Sequence, residues 1–328
     1  MGHVTLEQFL DRFDGPERSV VVVNRTDPDP VLNMLVDTFG DDVVRVADAS
    51  AVPDPSDRPA TDGAGPIGAD RDVGLTARDL TAADGDVEEG DVSLDVDVLR
   101  RREDIPFDGG DPADIENLVL LMEGDDVVAG STLAELGDAV LFVNSDLYVT
   151  GSRSLGDVDL PSVISGLNDA TFTLRGYPES NRQKLLLITI SRFIERAAWL
   201  SGDGTLRSSF QRLSRIDDEV GTRNVYERVT GTGVDTHLYG VADELPRDLD
   251  AVIHAGDDRD FTDSWFVVYR PSEGPKRVES DPDSDLERGI EGGVALLAVE
   301  TDPRTWRGLW TFDAERISRV NRYIERNL

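Results

Sequence analysis

The chain has 328 residues, with 66 Asp and Glu against 33 Lys and Arg, a net charge of −33 and no cysteine. That composition excludes a disulfide framework, a thiolate zinc site and a cysteine nucleophile, and it argues against nucleic acid as a partner. Only Lys184 and Lys276 are lysine, and 39% of residues are hydrophobic, so the chain reads as a globular protein adapted to molar salt. At that salt the Debye length is about 3 Å and surface carboxylates stop repelling one another. Met1-Gly2-His3-Val4 offers no leader segment, and no apolar run approaches the roughly 20 residues that span a bilayer. The expectation is a cytoplasmic protein with no membrane contact.

Thr5 and Gln8 form a capping-box pattern, and Leu6, Phe9, Leu10 and Phe13 give the first helix one apolar face. Ser19–Val23 is a continuous β-branched run, the mark of a buried strand. Asp29 as N-cap and Pro30 at the first helical position start a helix carrying Met34, Leu35 and Phe39, and Val43–Val46 is the next strand. Residues 48–111 differ in character: they are rich in Asp, Gly and Pro with Phe107 as sole aromatic, and predict an acidic, largely disordered insertion. Within it, the alternation of Val92, Leu94, Val96 and Val98 allows one strand. A hairpin follows, Leu118–Met122 and Val127–Ala129 around Gly124-Asp125-Asp126. Ser131 then caps a short helix through Leu136, and Val140–Val143 reads as a buried strand.

Residues 1–160 are expected to form one α/β subdomain and residues 161–328 a second. Thr171–Leu174 is a strand, and Ser180 with Gln183 starts a helix whose apolar stripe is Leu186, Ile190, Phe193, Ala197 and Leu200, with Arg182, Arg192, Glu195 and Arg196 on the opposite side. A shorter helix lies around Thr222–Val229. Strands are predicted at Thr236–Val241, Ala251–His254, Trp265–Tyr269, Val294–Glu300 and Trp306–Phe312, with an acidic loop over Lys276–Glu291. Asp313 caps a closing helix that uses Ile317, Val320, Ile324 and Leu328. The fold class is therefore α/β (mixed α+β), with mixed sheets flanked by helices.

Catalytic signatures are sparse. There is no G-x-S-x-G, no Walker A loop and no H-E-x-x-H. Gly63–Gly68 matches G-x-G-x-x-G but follows no strand and contains Pro66. Asp84, Asp86 and Glu88 begin like a calcium loop, but Glu89 stands where glycine is needed. Asn24-Arg25-Thr26 is a formal sequon with no role in a cytoplasmic chain. With three histidines in all, His3, His237 and His254, no metal site is expected, and no cofactor is identified.

What stands out is charge. Residues 175–228 carry ten basic and seven acidic side chains, a local +3, which leaves −36 for the rest. Arginine held in such a segment serves either internal pairing with Asp217, Asp218, Glu219 and Glu227 or an anionic ligand or partner. Candidate binding residues are Arg175, Gln211, Arg212, Arg215, Arg223, Tyr226, His237 and Trp306. His237 reads either as a half-buried strand residue or as a pocket donor, and Trp306 either as core packing with Trp310 or as an aromatic over a ligand.

Phe172-Thr-Leu-Arg175-Gly-Tyr-Pro178, Ile188–Arg192, Phe210–Arg215, Gly221–Arg228 and His237-Leu-Tyr-Gly240 resemble the DICT sensory domain in its haloarchaeal form. Val267–Tyr269, Ala295–Glu300 and Trp306–Trp310 extend the resemblance over about 167–312. It implies a non-catalytic input module of the kind associated with diguanylate cyclases and two-component systems. The partner would then be a signalling protein such as a histidine kinase or a transcription regulator. The chain lacks kinase, cyclase or DNA-reading motifs of its own. The alternatives are a nucleic-acid-associated regulator using residues 175–228, and an enzyme pairing Glu227 with Glu300.

Overall fold

Two mixed sheets organise the computed structural model, which describes the chain apart from residues 1–4, 12–14, 17, 27–29, 40–43, 52–88, 95, 103–104, 125, 142–154, 159, 176–181, 219, 273–284 and 304. The first half contributes α1 (Glu7–Asp11), β1 (Arg18–Val23), α2 (Pro30–Phe39), β2 (Val44–Ala51), β3 (Glu89–Leu94), α3 (Val96–Leu99), β4 (Leu118–Glu123), β5 (Asp126–Thr132) and α4 (Leu133–Leu141). The second contributes α5 (Ser162–Gly166), β6 (Thr171–Arg175), α6 (Arg182–Ser201), β7 (Thr205–Arg212), α7 (Arg215–Asp218), α8 (Val220–Thr230) and β8 (Asp235–Val241). After these come β9 (Val252–Ala255), α9 (Arg259–Thr262), β10 (Ser264–Arg270), α10 (Asp285–Gly292), β11 (Val294–Asp302), β12 (Thr305–Thr311) and α11 (Ala314–Asn327).

The five-stranded sheet has the order β3-β2-β1-β4-β5, parallel from β3 to β1 and antiparallel beyond. Its β1 runs as an unbroken apolar strand because both faces are covered. Val20 and Val22 join the central core, while Val21 and Val23 pack with Leu99, Ile105 and Ile115. The seven-stranded sheet has the order β6-β12-β11-β10-β7-β8-β9. It is antiparallel from β6 to β7, then parallel through β7, β8 and β9. One face meets α6, α8 and α10; the other, with Phe266, Val268 and Leu297, lies under α11.

Several expectations are corrected. Residues 52–88 of the insertion expected to be disordered lie outside the described residues, but its flanks are ordered. β3 pairs with β2 from Val46↔Glu89 to Ala51↔Leu94, so a long-range ladder orders a stretch whose composition alone would not. The strand expected through Val98 ends at Leu94, where β2 ends and pairing runs out, and the chain turns into α3. The strand expected over Val140–Val143 is replaced at its first two residues by the end of α4; residues 142 and 143 lie outside the described residues. Thr132 and Glu135, rather than Ser131, make that helix's capping box, with bonds of 2.7 and 3.0 Å. Ser131 instead accepts from the Val163 N–H at 3.2 Å. The acidic loop over Lys276–Glu291 gives way from Asp285 onward to α10, because Ile290 has a buried site to fill and Arg288 stacks 4.6 Å over Phe312.

The largest correction concerns α6. The sequence gives it an apolar stripe and a polar side, yet Arg192 and Glu195 on that side are 3% and 2% exposed. The reason is position: α6 packs against α2, α4, α8, α10, β6, β7, β10 and β11, so it has almost no solvent face. One continuous core runs through both halves, from Val20 and Leu121 to Leu296 and Trp310, and includes Leu155, Val158 and Leu160 between them. Gly202, at φ 63°, ends α6 where the sequence predicts.

Gly204 is indispensable in a different way. Its φ is 92°, and a Cβ there would fall 2.3 Å from the Arg270 carbonyl oxygen. Neither backbone can retreat, since β7 and β10 are laddered at Thr205↔Arg270. Gly204→Ala is expected to lose about 2 kcal/mol or more, left-handed strain plus the clash. Denaturant unfolding in molar KCl measures it, and a loss under about 0.5 kcal/mol would mean the strand start shifts freely.

Candidate functional site

Beside the antiparallel strands, β7, β8 and β9 form the parallel arm of the larger sheet, and ligands of open α/β sheets gather at the carboxyl ends of such strands. At that end of β7 the register slips between Ser209 and Arg212, where the partner becomes Val241. Gln211 sits in the slip with φ 59°, a left-handed conformation that a non-glycine residue rarely takes. The bulge turns its carboxamide so that Gln211 Oε1 accepts from Arg215 Nη1 on α7. The next turn is braced by Asp243, just past β8. Its carboxylate accepts from the Ser214 N–H at 3.1 Å and the Ser214 hydroxyl at 2.8 Å. Burial would raise the Asp243 carboxyl, but these donors and the Glu244 N–H hold it down at about 2, so it is ionised at all ordinary pH.

Arg212 leaves this braced turn into solvent, its side chain 64% exposed, with the nearest carboxylate that of Asp243 at 3.6 Å. Arg223 is different. It binds Asp217 at 2.7 Å and Glu227 at 2.8 Å, and its Nη2 donates to the Arg247 carbonyl. The bond to Glu227 raises its pKa most, against the opposing effect of burial. Arg223 thus ties α7, α8 and the loop after β8 together, and Glu227, offered as a catalytic acid, is spent in that tie.

The remaining predicted residues lie elsewhere. Tyr226 is fully buried between α8 and α6, where its hydroxyl donates to Glu195 Oε1 at 2.6 Å. Glu195 Oε2 accepts from Arg192 Nη1, and Arg192 Nη2 donates to the Thr222 hydroxyl at 2.7 Å. Burial, then the Glu195 charge, push the Tyr226 phenol well above 10. Arg175 ends β6, the edge strand farthest from β9, and is paired with Thr305 of β12; its side chain lies outside the described residues. Trp306 is half-buried on β12 and packs on the central core with Trp310. The structure therefore brings Gln211, Arg212, Arg215 and Arg223 to one end of β7 and leaves Arg175, Tyr226, His237 and Trp306 apart.

The opposite face of the parallel arm carries a second polar group. Arg207, buried, donates to the Tyr239 hydroxyl at 2.7 Å and to Asn321 Oδ1 of α11 at 2.9 Å. Tyr239 stacks on His254 at 4.3 Å and 7°, and His254 Nε2 lies 2.9 Å from His237 Nδ1. His237 Nε2 meets Asp235 Oδ2 at 3.0 Å. Burial, then His237 and Arg207, lower the His254 pKa from 6.5. Burial raises Tyr239 despite Arg207. Of this group sequence reasoning singled out His237 alone as a binding residue; it missed Arg207, Asp235, Tyr239 and His254, and also Asp243. The available signals were a carboxylate directly after a strand and a histidine on each of two neighbouring strands.

Among the described residues, no group of three or more His, Asp or Glu side chains is placed to hold a metal by itself. No helix among them is long and apolar enough to cross a membrane. Comparison with family models and with curated protein sequences gives no match.

Proposed function

We propose that the chain is a non-catalytic sensory module that takes a small anionic ligand at the carboxyl ends of β7, β8 and β9 and passes its state to another protein by contact. The observation that carries the reading is the solvent-facing guanidinium of Arg212 on a turn fixed from both sides, by Gln211 with Arg215 and by Ser214 with Asp243. A donor held in place before the ligand arrives loses little entropy on binding. Charge-assisted bonds from Arg212, and from Arg215 beside it, match carboxylate or phosphate oxygens. The resemblance of 167–312 to DICT sensory domains points the same way. The partner it implies is a signalling protein such as a kinase or a transcription regulator.

Signalling requires that the ligand prefer one conformation over another. Arg223 is the natural element to feel it, since it joins α7 and α8 to the loop after β8. A thermal-shift screen of nucleotides and small organic acids in molar KCl tests the reading. A true ligand at about a hundred times its Kd adds about 2.7 kcal/mol of stability. The shift should vanish in Arg212→Ala and Arg215→Ala and persist in Arg288→Ala, whose guanidinium binds Asp285 and stacks on Phe312 instead. A screen without shifts, or a shift indifferent to both variants, rejects the site.

A further inference from the structure

We propose that His237 and His254 form a binding site for one divalent transition-metal ion of the zinc or cobalt class, on the opposite face of the sheet from the central core. The inference is independent of the sensory reading. Two of the chain's three histidines, 17 residues apart in sequence, meet because β8 and β9 are parallel neighbours with Tyr239↔His254 in register.

The geometry fits a two-imidazole chelate. Zinc takes imidazole nitrogens at about 2.0–2.1 Å, which places two of them about 2.9 Å apart at a right angle and about 3.4 Å apart at a tetrahedral one. The separation of His237 Nδ1 from His254 Nε2 is 2.9 Å. A tetrahedral ion therefore needs the rings to part by about half an ångström. The rings are already close to parallel, at 26°, and Tyr239 backs His254 at 4.3 Å.

The proton arrangement suits a ligand pair as well. An ionised carboxylate only accepts, so Asp235 fixes the hydrogen of neutral His237 on Nε2 and leaves a lone pair on Nδ1. This is the carboxylate–histidine–metal arrangement, in which the outer carboxylate orients the ring and raises its basicity. His254 now donates its Nε2 hydrogen to that lone pair. An ion would take the place of this shared hydrogen, with His254 moving its proton to Nδ1 and no net proton released.

Access and charge complete the case. The His237 side chain is 14% exposed beside the 63% exposed Asp235, so the pair lies at the rim rather than in the interior. Arg207 is the opposing charge, but its guanidinium is directed to Tyr239, Asn321 and Glu325. With no third protein ligand among the described residues, water completes the coordination, and imidazole donors select zinc, cobalt, nickel or copper over magnesium or calcium.

The test is calorimetric titration of Zn2+ into the full chain carrying His3→Ala, so that the third histidine cannot contribute, in molar KCl with excess Mg2+ to occupy surface carboxylates. One Zn2+ per chain is expected. Binding should disappear in His237→Ala and in His254→Ala, and weaken about tenfold in Asp235→Asn. Near-ultraviolet circular dichroism checks that each variant is folded, and His237→Gln replaces the alanine variant if it is not. Zinc binding that is unchanged in His237→Ala or in His254→Ala, or absent from the parent, overturns the proposal.

Discussion

Glu195→Ala is expected to destabilise the protein by about 3–5 kcal/mol, among the largest effects of any single substitution. The Arg192 guanidinium is buried on α6, and its charge is balanced by Glu195 one helical turn away. Removing the carboxylate takes the opposing charge from Arg192, whose bond to the Thr222 hydroxyl is to a neutral group, and strips the Tyr226 hydroxyl of its acceptor. Glu195→Gln should cost less, because its carbonyl oxygen still accepts from Tyr226. Replacing both partners, Arg192→Met with Glu195→Leu, should restore most of the loss, since two paired charges give way to two apolar groups. Denaturant unfolding of the parent, Arg192→Met, Glu195→Leu and the double variant in molar KCl gives the cycle. A single-variant loss below about 1 kcal/mol would show that water reaches the pair. Tyr226 adds a pH signature. Its folded pKa is raised, so the stability it lends is complete below about pH 10 and is lost as pH climbs towards the raised value.

Trp310→Ala should lose a comparable amount, about 3–5 kcal/mol, by a different route. The indole is fully buried and meets Phe193 edge-on at 6.3 Å and Phe312 at 5.2 Å. Its backbone is clamped between Leu296 of β11 and the Asp169 N–H, which donates to the Trp310 carbonyl at 2.8 Å. The strand therefore cannot collapse to fill a cavity. Trp310→Phe separates shape from chemistry. The indole N–H has no hydrogen-bond partner among the described residues, so phenylalanine removes an unsatisfied donor while keeping most of the packing. A loss within about 1.5 kcal/mol is expected for it. If both variants lose equally, a bond to the indole nitrogen matters more than the rings.

Much of the scaffold was legible because local pattern and tertiary setting agree. The β-branched run of β1, the capping Asp313 of α11 and the glycine after α6 each state their structure in a few residues. What escaped was decided by residues far away. Ala51 and Leu94 gain strand structure from each other across 52–88. The polar side of α6 looks solvent-facing until two sheets close around it. The candidate site shows the same division. A run of arginines reads as one basic segment, but Arg192 points into the central core, Arg207 emerges on the other face of the sheet, and Arg223 locks two short helices. Alternation along β7 and the turn of each helix disperse what the sequence lists side by side. Arg212 and Arg215 remain together because the bulge at Gln211 interrupts that alternation, and no composition argument reveals a bulge.

The first helix also sets an order on how the protein is made. Leu6 and Leu10 of α1 are buried against the face that α11 covers, Phe9 meets Tyr323 edge-on at 5.4 Å, and Asp11 binds Arg307 at 2.8 Å. The Leu6 N–H and Asp11 thus find partners 254 and 296 residues downstream. During synthesis that apolar face leaves the ribosome well before its partners and waits for the residues of α11 and β12 to follow. The seven-stranded sheet needs β12 at its interior, between β6 and β11, so it too is incomplete until late. Folding is therefore dominated by distant contacts, a slow topology whose exposed intermediates give a dense negative charge its second use: keeping nascent chains apart.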